Sequence, residues 1–117
     1  MGADPGWVRV SDAAAARGLA PGSAIDAALD ERDLVVWRTT DGRPCVMEAR
    51  CPPQWSHLAS EGVVDGDELV CLTHFWRFTT EGEGWKVNVG GRRDRKGDIE
   101  TLPCREDSEG IWVQDGG

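Results

Sequence analysis

The sequence predicts an all-β domain, built as a sandwich or as a small barrel. Short runs rich in valine and tryptophan alternate with glycine-containing turns along most of the chain, which is typical of antiparallel strands joined by hairpins. Two of these turns, Asp41-Gly42 and Asp65-Gly66, carry the dipeptide that most favours a tight hairpin. The length of 117 residues suits one domain, 1–117, with one modest core.

The first third of the chain predicts one strand, one short helix and one ambiguous segment. GWVRV (6–10) has β character, and Ser11 is expected to cap a helix over 13–17 that ends at Gly18. The segment SAIDAALDERD (23–33) is ambiguous, because alanine favours helix while the segment runs straight into a strand. We interpret it as strand or turn.

The rest of the chain predicts strands in hairpins, because β-branched and aromatic residues recur between turn signals. These runs are LVVWRT (34–39), PCVMEA (44–49), VV (63–64), ELVC (68–71), an aromatic strand (75–78), WKVNV (85–89), IETLPCRE (99–106) and GIWVQ (110–114). The last two are expected to pair and close the domain.

The stretch from Cys51 to His74 is the part of the sequence that predicts chemistry. His57 follows Cys51 by six positions, His74 follows Cys71 by three, and the chain has no other histidine. Two thiolates and two imidazoles, one of each from two segments, make a four-ligand set for iron or zinc. The N-terminus shows no secretory signal, so the four cysteines favour metal ligands or core residues over disulfides.

The pattern around these segments resembles that of Rieske-type ferredoxins, especially those that feed electrons to multicomponent oxygenases. In that family one loop runs Cys-Pro-His-Gln and continues to leucine, an acidic residue and glycine. The other loop runs Cys-x2-His before an aromatic strand. The matching residues are Cys51, Pro52, Gln54, Leu58, Glu61, Gly62, Cys71, His74, Trp76 and Phe78. The resemblance implies a Rieske-like antiparallel β-sandwich with a small two-loop subdomain, at about 51–58 and 71–76, that binds a [2Fe–2S] cluster.

The sequence departs from the family at one ligand position. Pro53 stands where the family has its first-loop histidine, and a proline side chain offers no donor atom to a metal. The resemblance therefore implies three ligands, Cys51, Cys71 and His74. We expect His57, four residues past the family position, to be the fourth. The alternative is that His57 is an ordinary loop histidine.

Three further features carry weaker signals. Cys45 and Cys104 are less favoured as ligands, and we interpret both as small buried side chains. The basic run 92–96 is interpreted as a solvated loop, with a docking contact as the alternative. A net charge of −8 argues against a nucleic-acid partner and allows a partner protein with a basic docking face.

The resulting hypothesis is an electron carrier that takes single electrons from a reductase and passes them to an oxygenase, and that is not itself catalytic. A complete oxygenase subunit is not expected, because the chain offers no second domain and no further histidines. No apolar run is long enough to cross a membrane, so a cytoplasmic location is the default expectation. The alternatives are a Rieske fold without a cluster, acting as a binding or accessory protein, and a mononuclear Cys2His2 zinc protein.

Overall fold

Twelve strands and one short helix make up the described part of the computed structural model, which comprises residues 6–29, 32–49, 58, 62–72, 75–87 and 89–114. In chain order the elements are β1 (Trp7–Asp12), α1 (Ala13–Gly18), β2 (Ala24–Leu29), β3 (Arg32–Arg38), β4 (Pro44–Glu48), β5 (Gly62–Asp65), β6 (Glu68–Cys71), β7 (Trp76–Phe78), β8 (Gly84–Val87), β9 (Arg93–Arg95), β10 (Thr101–Leu102), β11 (Cys104–Asp107) and β12 (Gly110–Gln114).

Within this part of the chain the strands form three antiparallel sheets. The first sheet has the strand order β1-β12-β11, the second β10-β4-β3-β2, and the third β5-β6-β7-β8-β9. Most neighbours in a sheet are consecutive in sequence, as hairpins require, whereas β1 with β12 and β10 with β4 join distant parts of the chain. The predicted all-β antiparallel sandwich is confirmed.

The second sheet lies between the other two and is buried on both faces. Val35 and Trp37 on β3 belong to a core cluster that includes Leu69 and Phe78 of the third sheet. Their neighbours Leu34 and Val36 face a second cluster that includes Ile111 and Val113 of the first sheet. Successive strand residues point to opposite faces, so an unbroken apolar run such as LVVW is what a strand with two buried faces needs.

Two predicted boundaries differ from the observed ones. The helix cap is Asp12 rather than Ser11: the Asp12 carboxylate accepts a hydrogen bond of 2.8 Å from the backbone N–H of Ala15. The predicted strand 99–106 divides at Pro103, which has no N–H to donate to a sheet. Before the proline, β10 pairs with β4, and after it β11 pairs with β12. The ambiguous segment 23–33 contributes strand β2.

The side chain of Arg38 fastens the helix to two of the sheets. It is buried and donates hydrogen bonds to the backbone carbonyls of Ala16 and Leu19 at 2.8 and 2.7 Å. It also forms a two-point ion pair with Glu106 on β11, with N–O distances of 2.8 and 2.7 Å. The hydrogen bond from Arg38 holds the pKa of Glu106 below its usual value of 4.5.

Among the described residues, no helix has the length and the apolar character needed to cross a membrane.

Candidate metal centre

Cys71 is the one predicted ligand that lies in the described part of the chain. It is the last residue of β6, it is fully buried, and it belongs to the core cluster between the second and third sheets. Cys51, Pro53, His57 and His74 lie outside the described residues. The described residues that flank them in the sequence are Ala49 and Leu58 for the first segment, and Leu72 and Phe75 for the second.

The first ligand-bearing segment starts and ends at neighbouring points. Ala49, just after β4, and Leu58 are both fully buried, and the N–H of Leu58 donates a 2.6 Å hydrogen bond to the carbonyl of Ala49. Ala49 and Leu58, the described residues on either side of 50–57, are therefore in contact. By sequence, Cys51 and His57 lie between them.

Gly62 lies between Leu58 and Cys71. Gly62 pairs with Cys71 in the β5–β6 ladder, which places their Cα atoms about 5 Å apart. A side chain on Gly62 would clash with Leu58, because its Cβ would overlap the Leu58 carbonyl oxygen. Because Gly62 has no side chain, the backbone of Leu58 can approach the β5–β6 strand pair that carries Cys71.

The second ligand-bearing segment is a tight turn that begins at Cys71. The N–H of Phe75 donates a 2.7 Å hydrogen bond to the carbonyl of Cys71, which closes a five-residue turn of the i to i+4 kind. Phe75 adopts a left-handed conformation, with φ of 60°. By sequence, His74 lies between Cys71 and Phe75.

The donor types at this place fit an iron–sulfur cluster of the mixed cysteine and histidine kind. In the described part of the chain, no group of three or more His, Cys, Asp or Glu side chains can hold a metal. The adjoining segments provide one further thiol and two imidazoles by sequence. Thiolate and imidazole are the ligands that a Rieske cluster requires.

Cys45 and Cys104 lie away from this place. Cys45 is at the beginning of β4, four residues or about 13 Å from Ala49 along the strand. Burial, reinforced by the nearby Cys104, raises the pKa of the Cys45 thiol to about 12. Burial also raises the pKa of Cys104, whose thiol donates a hydrogen bond to the Pro44 carbonyl at 3.3 Å. Cys45 is buried, as predicted, whereas Cys104 is only partly buried.

The basic run 92–96, interpreted above as a solvated loop, contains strand β9 and is held by ion pairs. Arg93 and Arg77 both bind the largely buried carboxylate of Glu68, at 2.6 and 2.7 Å. Burial alone would raise the pKa of Glu68, but the hydrogen bonds from the two arginines outweigh it and lower the pKa. Arg93 and Arg95 each place the guanidinium 5.3 Å from the ring centre of Trp85, at cation–π distance.

The contact between Gly62 and Leu58 gives a first testable prediction. Gly62→Ala forces the Leu58 carbonyl away from β5, so we expect it to separate the two ligand-bearing segments and to lower the iron retained per chain by at least about tenfold. Gly18→Ala is the matched control, because a Cβ at Gly18 meets nothing within 4 Å. Iron analysis of both purified variants is the measurement, and equal iron contents would show that Gly62 does not position the centre.

Known proteins resemble this chain in sequence and in fold. The family model described as Rieske [2Fe-2S] domain matches residues 7–107. A cholesterol 7-desaturase of Xenopus laevis is 38% identical over 109 residues, which cover 92% of this chain and 23% of that protein. Among solved structures, NdmA of Pseudomonas putida CBB5 superposes with a TM-score of 0.78 at 23% identity, over 92% of this chain and 33% of that one. A ferredoxin of Sphingomonas yanoikuyae B1 superposes with a TM-score of 0.71 at 18% identity, over 92% and 97% of the two chains.

The comparisons correct one prediction. The hypothesis of a component that is not itself catalytic is wrong, because the relatives of this chain are named as enzymes, among them cholesterol 7-desaturases and a chlorophyllide a oxygenase. The prediction rested on the small number of histidines and the lack of a second domain in these 117 residues. The chain spans less than a quarter of the length of these relatives.

Proposed function

Because this chain belongs to the Rieske [2Fe-2S] family, we propose that it is the electron-accepting domain of an oxygenase system. In this proposal a [2Fe–2S] cluster is held by Cys51, His57, Cys71 and His74. The domain receives single electrons from a reductase and delivers them to the catalytic centre of an oxygenase. The names of the relatives, which are desaturases and oxygenases, support the enzymatic setting.

The observation that supports the proposal is the closeness of Leu58, Gly62 and Cys71, which are described residues next to the two ligand-bearing segments. The N–H of Leu58 donates a hydrogen bond to the carbonyl of Ala49. Leu58 also lies against Gly62, which pairs with Cys71 at the end of β6. A cluster held by a thiolate and an imidazole from each of two segments needs this arrangement.

The residues around Cys71 favour a redox centre over an open catalytic site. Leu58, Leu69 and Phe78 are fully buried in the same core cluster and exclude water from the Cys71 side. When bound, a Rieske cluster supplies a one-electron centre whose potential is raised because two imidazoles replace two thiolates. The turn from Cys71 to Phe75 has two exposed apolar residues, Leu72 and Phe75, so the chain is near solvent immediately beyond the buried cysteine.

Metal analysis joined to a redox titration tests the proposal against its rivals. We expect anaerobically purified protein to be coloured, to contain iron and acid-labile sulfide in equal amounts, and to take up one electron per cluster reversibly. A colourless chain with one zinc would favour the Cys2His2 zinc alternative. A colourless, metal-free and folded chain would favour a Rieske fold that has lost its cluster.

The assignment of His57 gives a separate prediction. His57→Ala removes one imidazole donor, so we expect cluster content to fall by at least about tenfold. Pro53→His restores a histidine at the position where the family has its first-loop ligand, so adding it to His57→Ala should recover the cluster. Visible absorption and iron content of the three proteins are the measurements. Unchanged cluster content in His57→Ala would remove His57 from the ligand set.

A further inference from the structure

Two cysteines away from the candidate metal centre line one cleft. The cleft has a volume of about 580 Å³, and its wall contains both Cys45 and Cys104. Both thiols are free in this structure, and the proposed electron transfer uses neither of them. A cleft of this size accommodates a small molecule. Its wall offers that molecule two sulfur atoms.

A break in strand pairing brings the two thiols together. Cys45 lies on β4, and the pairing of β10 with β4 ends before Pro103. Cys104 follows this proline, and its thiol donates a 3.3 Å hydrogen bond to the Pro44 carbonyl at the edge of β4. A carbonyl oxygen lies roughly 3 Å from the next Cα, which puts the Cys104 sulfur within roughly 6 Å of the Cα of Cys45.

The two sulfurs are within reach of a covalent bond. Cys45 belongs to the core cluster between the second and third sheets, whereas Cys104 packs against the cluster between the first and second. They therefore approach from opposite faces and meet at the sheet edge, where Cys104 contributes to the raised pKa of Cys45. In a disulfide, each sulfur lies roughly 4 Å from the Cα of the other cysteine. Side-chain rotation with a shift of roughly 2 Å therefore joins the two thiols.

We propose that Cys45 and Cys104 form a thiol-exchange site, at which a small peptide-like disulfide such as oxidised glutathione converts the two free thiols into an internal disulfide. Glutathione carries an amino group and two carboxylates. The cleft wall offers Glu81 to the amino group and Arg43 to a carboxylate. The pair that Arg43 makes with Asp41 is exposed, so the guanidinium remains accessible to a bound molecule.

The exchange consists of two displacement steps. The Cys104 thiolate attacks one sulfur of oxidised glutathione, which releases one glutathione thiolate and leaves a mixed disulfide on Cys104. The Cys45 thiolate then attacks the Cys104 sulfur, and the second glutathione thiolate leaves. The two protons lost by the protein pass through water to the two released thiolates. The protein is oxidised by two electrons, and oxidised glutathione is reduced by two.

The surroundings of each thiol set the order of these steps. Burial raises the pKa of Cys104, but a hydrogen bond from the backbone N–H of Val46 opposes this rise, and the residue is partly exposed. Burial raises the pKa of Cys45 to about 12, which makes it the poorer first nucleophile. Once the mixed disulfide lies beside Cys45, closeness offsets the small thiolate fraction. The exchange therefore begins at Cys104, and it is slow at neutral pH.

The internal disulfide ties two sheets together. Cys45 lies on β4 of the second sheet, and Cys104 is the first residue of β11 in the first sheet. A bond between them restricts the unfolded chain and so stabilises the folded one. We expect the oxidised protein to unfold at a higher urea concentration than the reduced protein, and dithiothreitol to reverse this shift.

Peptide mapping by mass spectrometry, after incubation with oxidised glutathione, tests the proposal. The unaltered protein should yield peptides linked through Cys45 and Cys104, with no glutathione retained on either. Cys45→Ala lacks the second thiol, so it should trap one glutathione on Cys104. Cys104→Ala lacks the first thiol, so it should trap at least about tenfold less glutathione on Cys45 than Cys45→Ala traps on Cys104.

Two results would overturn the site. One is free thiols at Cys45 and Cys104 in all the incubated proteins, and the other is a mixed disulfide on Cys104 of the unaltered protein that never resolves. The mapping distinguishes these cysteines from Cys51 and Cys71, so it does not depend on a bound cluster. A protein without a cluster that still forms the linked peptides would contradict the proposed function and support the exchange site.

Discussion

Cys71→Ala is expected to abolish the cluster. Cys71 is a buried thiol that pairs with Gly62, and alanine offers no donor in its place. A cluster that loses one of its four protein ligands should fall below about one tenth of its original occupancy. Visible absorption and iron content after anaerobic purification are the measurements.

Cys45→Ala is the matched control for this experiment. Cys45 is a buried thiol of the same core cluster, but it lies near the other end of β4 from Ala49, the residue that precedes the first ligand-bearing segment. We expect Cys45→Ala to keep its colour and its iron. If Cys71→Ala kept both as well, Cys71 would not be a ligand and the centre would lie elsewhere in the chain.

Arg38→Ala is expected to cause the largest loss of stability. The substitution removes the hydrogen bonds to the carbonyls of Ala16 and Leu19 and the two-point ion pair with Glu106. Losing two buried hydrogen bonds from a charged donor, together with a partly buried ion pair, costs about 3 kcal/mol. Urea unfolding of the variant should show this loss. Arg43→Ala, whose pair with Asp41 is exposed, should change the free energy of unfolding by less than about 1 kcal/mol.

The same ion pair predicts how stability depends on pH. Arg38 holds the pKa of Glu106 below 4.5, the value expected in the unfolded chain. The unfolded chain therefore binds more protons in this range, and the stabilisation is complete above pH 4.5 and is lost as the pH falls through the lowered value. The Arg38→Ala variant lacks this contribution at every pH. The difference in free energy of unfolding between the variant and the unaltered protein should therefore become smaller below pH 4.5. A difference that stays constant down to acid pH would contradict the role of Glu106.

The sequence predicted most of the strands because their signals are local. The unbroken apolar run at 34–37 and the Asp-Gly turns need no knowledge of the rest of the chain. Strand β9 was missed because Arg93 and Arg95 show no apolar alternation. Their strand is held by distant partners instead, by Trp85 on β8 and, for Arg93, by Glu68 on β6.

The candidate centre could be predicted by residue type but not by arrangement. Cysteine and histidine residues in two segments indicated the donor types. The family resemblance predicted a [2Fe–2S] cluster, and the matching family model confirms that prediction. The role of Gly62 could not be predicted, because it depends on a contact with the Leu58 carbonyl that only the folded chain brings about. The enzymatic setting was missed for a different reason, since 117 residues say nothing of the parts that longer relatives carry.

The most direct measurement is pulsed electron paramagnetic resonance of the dithionite-reduced protein. If Cys51, His57, Cys71 and His74 surround two bridged irons, the paramagnetic centre should show magnetic coupling to the nitrogens of two different imidazoles. In His57→Ala with Pro53→His, the two couplings should persist. A reduced protein with no paramagnetic centre, or with a centre that couples to no imidazole nitrogen, would contradict the account.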